Sequence, residues 1–155
     1  MPFLTEPAEA NAHWPDHAAL LLESYRHWIG RDLLISATPA QALYHAPFGV
    51  LSHDTAADPC FTYANLAAQT QFEMPWSEIV GLPSRLSAEP LVQAERESLL
   101  ARVASQGYID DYSGVRIARS GRRFMIQNAT VWNLVTQDGL VLGQAACFEV
   151  AQSKV

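Results

Sequence analysis

The chain has 155 residues, of which 49% are hydrophobic and 17% charged, and its formal net charge is −6. This length and apolar content are typical of one folded domain, and the negative charge disfavours nucleic acid or an anionic membrane surface as the main partner. No early apolar run is long enough for a secretion signal or a membrane span, so we expect a cytoplasmic protein. Cys60 and Cys147 are expected to be buried free thiols.

The N-terminal third is predicted to be helical. Residues 1–11 are polar and carry two prolines, which predicts a flexible arm, and residues 12–46 are predicted to form the N-terminal helices. Apolar residues recur at spacings of three and four up to Gly30, which predicts an amphipathic helix. Its apolar face is a candidate interface, and the sequence leaves open whether the chain's own sheet or a second subunit covers it. The interface candidates are Trp14, Leu21, Tyr25 and Trp28.

The middle of the chain is predicted to pass from a hairpin into short, broken helices. Thr38-Pro39 is typical of a helix start, and residues 48–53 and 60–64 are predicted to be two strands of a hairpin. Asn65 is predicted to cap the helix that follows, because its side-chain oxygen can accept from free N–H groups at a helix N-terminus. Pro75, Gly81 and Pro83 then interrupt the chain.

The last half of the chain is predicted to be one long helix and a meander. Residues 88–106 form an amphipathic pattern in which Leu99 and Val103 point inward and Arg96 points outward. Residues 108–119, 122–135 and 140–150 are predicted to be three successive strands. The predicted fold class is therefore α+β: a five-stranded antiparallel sheet with helices inserted between strands two and three, plus N-terminal helices.

Several long motifs resemble one known family. The stretches "HAPFGVLSHDT", "YANLAAQTQFEMPWSEIVGLPSRLSAEP", "ERESLLARV", "GYIDDYSGVRIARSGRRF", "VWNLV" and "GQAACF" are similar to the MEKHLA domain family, a PAS-like group. The resemblance runs from about Trp14 to Phe148. It implies a PAS-type fold over residues 47–151 and a sensory or protein-interaction module, like the relative at the C-terminus of plant class III homeodomain leucine-zipper proteins. It implies no established ligand.

A ligand pocket is predicted between the inner face of the sheet and residues 72–86, because short pieces broken by Pro and Gly do not close-pack. Strict alternation along the strands places Arg116 on the same face as Trp132, and an ordinary core with one satisfied Asn explains this pattern equally well. The pocket candidates are Phe72, Trp76, Leu82, Arg85, Leu86, Tyr112, Arg116, Ile126, Asn128 and Trp132.

Three cofactor classes are disfavoured, and the cofactor stays unknown. When the Gly-x-Asn-Cys-Arg-Phe motif of flavin-adduct PAS domains is laid on residues 81–86, Ser84 stands where the thiol belongs, which disfavours a cysteinyl-flavin adduct. Flavin bound without adduct chemistry is left open, with no residue that supports it. The long helix has no histidine, which disfavours haem. His13 and His17 have i, i+4 spacing, but no further ligand completes a metal site, so none is predicted.

The function predicted from these features is a non-catalytic sensory module. It is expected to bind a small apolar or aromatic molecule, to contact a protein partner or a second copy of itself, or both. One alternative is a small cavity-containing α+β enzyme in which Asp110 or Asp111 acts as a base beside Tyr112, although adjacent strand residues point to opposite faces. The other alternative is a structural adaptor with a filled core.

Overall fold

The computed structural model describes residues 5–87 and 90–149, and the order of its elements agrees with the predicted one. The α-helices in these residues are α1 (Pro15–Ile29), α2 (Pro39–Tyr44), α3 (Leu66–Phe72), α4 (Trp76–Ile79) and α5 (Pro90–Gln106). The strands are β1 (Gly49–His53), β2 (Phe61–Ala64), β3 (Tyr108–Ile117), β4 (Arg123–Val135) and β5 (Val141–Glu149). Short 3₁₀ helices span Glu9–Asn11 and Ser84–Ser87.

The strands form one antiparallel sheet in the order β2-β1-β5-β4-β3. The hairpin β1–β2 joins the meander β3–β4–β5 through the pairing of β1 with β5, so the first and last strands lie at the centre. Helices α3, α4 and α5 come between the second and third strands, and the predicted α+β fold class is confirmed. No helix in the described part of the chain has the length and hydropathy needed to cross a membrane.

Helix α1 covers one face of this sheet, which we call the outer face. Leu21 and Tyr25 are buried there, and the Trp132 indole of β4 donates from Nε1 to the Leu21 carbonyl oxygen over 3.3 Å. The rings of Tyr25 and Trp132 meet edge to face, with centroids 5.0 Å apart. The sheet of the same chain, and not a second subunit, therefore covers the apolar face of α1.

The other two interface candidates are also used within the chain. Trp14 packs against Trp76 of α4 with ring centroids 4.9 Å apart, and Trp28 donates from Nε1 to the Asn133 carbonyl oxygen over 3.0 Å. Gly107, at the start of β3, makes room for the Trp28 ring, because a Cβ there would lie 2.3 Å from it. All four interface candidates are therefore buried or half-buried against their own domain, and an interface at these residues stays a prediction.

The predicted arm contacts the helices where it is described. The Trp14 indole donates from Nε1 to the Thr5 carbonyl oxygen over 2.9 Å, and the Tyr44 hydroxyl donates to the Glu6 carboxylate. Residues 5–11 are therefore held against α1 and α2, while residues 1–4 of the predicted arm lie outside the described residues.

Asn65 joins the layers of the fold. Its side-chain oxygen accepts from the Ala68 backbone N–H, which caps α3, and also from the Val50 N–H of β1. Its side-chain nitrogen donates to the carbonyl oxygens of Leu43 and Phe48. One fully buried amide thus fixes the end of α2, the start of β1 and the start of α3.

A bulge in β4 changes which side chains reach the inner face, the face covered by α3 and α5. The pairing of β4 with β5 shifts between Gln127 and Thr130, and Asn128 takes a φ of +52° within this shift. Side chains before the bulge, such as Ile126, and after it, such as Val131, both face inward, whereas Trp132 faces α1. The strict alternation predicted for this strand is therefore wrong.

Candidate functional site

A cavity of about 70 Å³ lies between the inner face of the sheet, helix α5 and the 3₁₀ helix Ser84–Ser87. One part of its wall is apolar and comes from β1, β2, α5 and β4. Its buried apolar residues are Leu51, Phe61, Leu99, Ile126 and Val131. Val131 packs against Leu99 and Val103 of α5 in a small apolar cluster that is separate from the main core.

The rest of the wall carries hydrogen-bonding side chains from five different elements. These residues are His53, Ser84, Arg96, Tyr112, Arg116 and Gln144. A few convergent polar groups beside apolar walls are typical of small-molecule sites, in which polar groups orient the ligand and apolar ones exclude water.

Arg96 reaches the cavity from α5, although the sequence predicts it to point outward. It is three residues from Leu99 and seven from Val103, and this spacing places all three on the buried face of the helix. One guanidinium nitrogen of Arg96 donates to Ser84 Oγ. Burial, and after it the charge of Arg116, lowers the pKa of Arg96 to about 10, so Arg96 stays protonated at neutral pH.

Arg116, one of the pocket candidates, lines the cavity from β3. Its Nη1 donates to the Val115 carbonyl oxygen over 2.9 Å, and its guanidinium carbon lies 5.7 Å from the centre of the Tyr112 ring. Gly114 lies between the two residues and leaves room for the Tyr112 hydroxyl, because a Cβ at Gly114 would come within 2.3 Å of that oxygen. The ring and the guanidinium are therefore held together beside the cavity.

A chain of buried and part-buried hydrogen bonds leads away from Arg96. Ser84 Oγ accepts from Arg96 and donates to His53 Nδ1 over 3.3 Å. His53 Nε2 donates to Gln144 Oε1 over 3.2 Å, and Gln144 Nε2 donates to Asn133 Oδ1 over 3.1 Å. The amide orientation of Gln144 sets this histidine tautomer. Burial lowers the pKa of His53, which favours the neutral ring that the chain requires.

Three of the ten predicted pocket residues line this cavity: Tyr112, Arg116 and Ile126. Phe72 lies on the inner side but fills the core beside the cavity, against Phe124 and Phe148. Trp132 lies on the outer face because of the bulge in β4, and Asn128 is the exposed residue of that bulge. The bulge therefore explains why two of the candidates lie away from this cavity.

The remaining candidates come from residues 72–86, only the last part of which reaches the cavity. Trp76 packs in an aromatic cluster with Trp14 and Tyr63, away from the cavity. Arg85 is exposed and forms an ion pair with Asp58, with 3.1 Å between Nε and Oδ1. Leu82 packs against the core and Leu86 is exposed. The residue of this segment that reaches the cavity through its hydroxyl is Ser84, which the sequence singled out only as a missing thiol.

The predicted carboxylate base is absent from the cavity wall. Asp110 and Asp111 are both exposed, and a register shift between Ile109 and Tyr112 turns this part of β3 outward. Tyr112 alone of the three lines the cavity. The enzyme alternative with Asp110 or Asp111 as a base beside Tyr112 is therefore wrong.

The two histidines with i, i+4 spacing have different neighbours. The His13 ring meets the His45 ring edge to face, whereas His17 approaches Ser52 Oγ with its Nε2 at 3.0 Å. Cys147 is buried, but Cys60 is half-buried, which differs from the prediction. Over residues 5–87 and 90–149, no three His, Cys, Asp or Glu side chains converge as metal ligands would.

A flavin or a haem does not fit the cavity. Ligands of drug or cofactor size occupy pockets of roughly 300–1,000 Å³, whereas this cavity has a volume of about 70 Å³. Ser84 is also engaged by Arg96 and His53 in the position where an adduct-forming thiol would be needed. The donor set and the volume fit a much smaller molecule.

The comparisons with known proteins agree on family and fold. The MEKHLA domain matches residues 15–152. The homeobox-leucine zipper protein HOX29 of Oryza sativa subsp. indica is 27% identical over 146 residues, a match that covers 86% of this chain. The match covers only 16% of HOX29, so the chain spans about a sixth of the length of this curated relative. The subspecies japonica protein matches to the same extent.

Solved structures share the fold at low sequence identity. The PAS domain of a protein from Colwellia psychrerythraea superposes with a TM-score of 0.64 at 13% identity, covering 74% of this chain and 95% of that one. A Light-Oxygen-Voltage domain studied with a flavin analogue superposes with a TM-score of 0.57 at 20% identity, covering 73% and 84%. The fold is therefore PAS-like, and the match over residues 15–152 shows that the chain belongs to the MEKHLA domain family.

Proposed function

We propose that this chain is a non-catalytic sensory module that binds a small molecule in the cavity between the sheet, α5 and Ser84–Ser87. One observation carries the proposal: six hydrogen-bonding side chains from five elements converge on one partly apolar cavity. A purely structural core has little use for such a set, because each buried polar group costs free energy unless it is paired. Membership of a PAS-like family agrees with a sensory role.

The size of the cavity refines the ligand class predicted from sequence. An engineered cavity that admits benzene has a volume of about 150 Å³, roughly twice that of this cavity, which is about 70 Å³. An aromatic ligand is therefore a poor fit. The mixed wall favours a small ligand with both a polar and an apolar part.

Native mass spectrometry of the protein purified from its own host tests this proposal. We expect a bound species of low mass that is lost on denaturation and is absent from a variant with a filled cavity, Ala146→Leu. Ala146 lies on the cavity wall, so the larger side chain occupies the ligand space. A wild-type protein that is free of ligand and binds nothing from a host metabolite extract would contradict the proposal and favour the adaptor alternative.

A protein-interaction role is the second candidate, and a different observation favours it. Leu140, Val141 and Leu142 are consecutive apolar residues that are 60%, 43% and 43% exposed at the turn into β5. Exposed apolar patches often mark contact sites. Light scattering after size exclusion would test self-association: we expect a dimer for the wild type and a monomer for Leu140→Asp. A monomeric wild type would exclude a stable homodimer through this patch.

A further inference from the structure

Two buried arginines face the cavity, and neither forms an ion pair with a described residue. Arg96 is 6% exposed and Arg116 is 8% exposed, and both line the cavity. The ion pairs among the described residues involve other arginines, at the surface, and neither Arg96 nor Arg116 takes part in one. A buried cation ordinarily has an anionic neighbour, because desolvating an unpaired charge is costly. The cavity therefore holds positive charge that the described carboxylates Glu97 and Asp58 offset only from beyond ion-pair distance.

The two charges also act on each other. The charge of Arg116 is, after burial, the second cause of the lowered pKa of Arg96, so the two guanidinium groups repel across the cavity. Repulsion between like charges is relieved when an anion lies between them. Two arginines that line one cavity from α5 and β3 therefore form the cationic part of an anion-binding site.

Both guanidinium groups retain donors for such an anion. A guanidinium has five N–H donors. Among the described residues, Arg96 uses one of them on Ser84 Oγ, and Arg116 uses one on the Val115 carbonyl oxygen and another, at 3.4 Å, on the Tyr112 hydroxyl. The remaining N–H groups match the two oxygens of a carboxylate, whose planar geometry suits an arginine fork.

The rest of the cavity decides which anion fits. Leu51, Phe61 and Ile126 form an apolar wall that offers no hydrogen-bond partner to the side chain of a ligand. Inorganic phosphate would leave oxygens unpaired against this wall, and a dicarboxylate would place its second charge there. A volume of about 70 Å³ holds roughly five to seven water-sized positions, which suits an anion of about four to six non-hydrogen atoms.

We infer that the cavity binds a short-chain monocarboxylate, whose carboxylate pairs with Arg96 and Arg116 while its hydrocarbon chain lies against Leu51, Phe61 and Ile126. This inference rests on the proposed function, since it names the ligand class of the same cavity. The neutral His53 and Ser84 complete the polar rim beside the carboxylate.

Isothermal titration calorimetry with acids and their amides tests the charge requirement on the unmodified protein. Propionate and butyrate are compared with propionamide and butyramide at constant ionic strength, and inorganic phosphate serves as a second anion. We expect each acid to bind at least tenfold more tightly than its amide, and butyrate to bind at least tenfold more tightly than phosphate. Equal affinity for acid and amide would overturn the inference, and so would phosphate binding as tightly as butyrate.

Arginine variants test the residues. Arg116→Gln and Arg96→Gln are each expected to weaken butyrate binding at least tenfold. The matched control is Arg102→Gln, which removes an exposed arginine from the same helix and should change the affinity less than twofold. Unchanged butyrate affinity in both cavity variants would overturn the assignment. If circular dichroism shows that a variant does not fold, the comparison of acid with amide on the unmodified protein still tests whether the ligand must be an anion.

The native mass spectrum separates this inference from the proposed function. A neutral bound species from the host, together with no binding of carboxylates in calorimetry, would overturn the monocarboxylate but leave the sensory module intact. No bound species and no binding of acid, amide or extract would overturn both. A bound acid of low mass that butyrate displaces would support both.

Discussion

The two faces of the sheet are built from the same strands but have opposite character. The outer face is closed by α1 with interlocking rings, such as Tyr25 on Trp132, and its indole N–H finds a backbone acceptor. The inner face under α5 keeps a cavity lined by two arginines that form no ion pair with a described residue. The outer face therefore contributes mainly to the free energy of unfolding. The inner face contributes less because it buries charged and polar side chains, as functional sites commonly do.

The largest expected loss of unfolding free energy comes from removing a large side chain from the outer face. Trp132→Ala removes a fully buried indole, so we expect it to lower the free energy of unfolding by about 3–5 kcal/mol. Urea denaturation followed by circular dichroism measures this change. The inner-face control is Ile126→Val on the same strand, expected to cost only about 0.5–1.5 kcal/mol. A cost for Trp132→Ala below about 1.5 kcal/mol would contradict a tightly packed outer face.

The next effect comes from the residue that joins the layers. Asn65→Ala removes four hydrogen bonds made by a buried amide, so we expect it to lower the free energy of unfolding by about 3 kcal/mol. Asn65→Asp keeps an acceptor for Val50 and Ala68 but loses both donated bonds, and it should fall between Asn65→Ala and the wild type. A cost for Asn65→Ala of only a few tenths of a kcal/mol would show that the cap is redundant.

Acid should weaken the outer face through His17. Burial lowers its pKa to about 4 in the folded chain, below the value of about 6.5 in the unfolded chain. The unfolded chain therefore takes up the proton first, so the contribution of His17 is complete above pH 6.5 and is lost as the pH falls toward 4. We expect His17→Leu to remove about 2 kcal/mol of the loss in unfolding free energy between pH 7.5 and pH 4.5.

Urea denaturation at both pH values measures this difference between wild type and variant. His53 on the inner face also has a pKa lowered by burial, so it contributes an acid-dependent loss of the same sign that stays in the variant. An identical loss in wild type and His17→Leu would mean that His17 does not titrate in this range.

The smallest effect should have the opposite sign. Arg116→Met removes one of two repelling buried charges, so we expect it to raise the free energy of unfolding of the ligand-free protein by about 1 kcal/mol. The control, Arg122→Met, breaks an ion pair with Glu73 at the surface and should lower stability by up to about 1 kcal/mol. Thermal unfolding of both variants measures the signs, and a destabilised Arg116→Met would contradict a strained inner face.

The elements that depend on local chemistry could be predicted from the sequence. Asn65 lies between a strand and an amphipathic stretch, and capping depends on a few neighbouring residues, so both the cap and the start of α3 follow. Helix α1 and the order of the strands follow from periodicity and turns. The MEKHLA resemblance gave the fold class independently of these patterns.

The cavity could be predicted only in part, because its lining depends on a bulge in β4 and on the burial of a charged residue in α5. The bulge at Asn128 changes which face of the sheet the residues after it point to. The signal in the sequence is the Asn itself, because Asn adopts a positive φ more readily than most residues. Arg96 looks like a surface charge until its spacing from Leu99 and Val103 is followed around the helix. Burial of a charge at such a position depends on tertiary packing, which sequence periodicity does not report.

The chain of hydrogen bonds that begins at the cavity also connects the inner face of the sheet with α1. From His53 the route passes through Gln144 to Asn133, and the Asn133 carbonyl oxygen accepts from the Trp28 indole of α1. Because Gln144 also lines the cavity, only two hydrogen bonds separate the cavity from a helix on the opposite side of the sheet. Since an indole changes its emission with its hydrogen bond and surroundings, we expect Trp28 to serve as a built-in optical reporter of what the cavity holds.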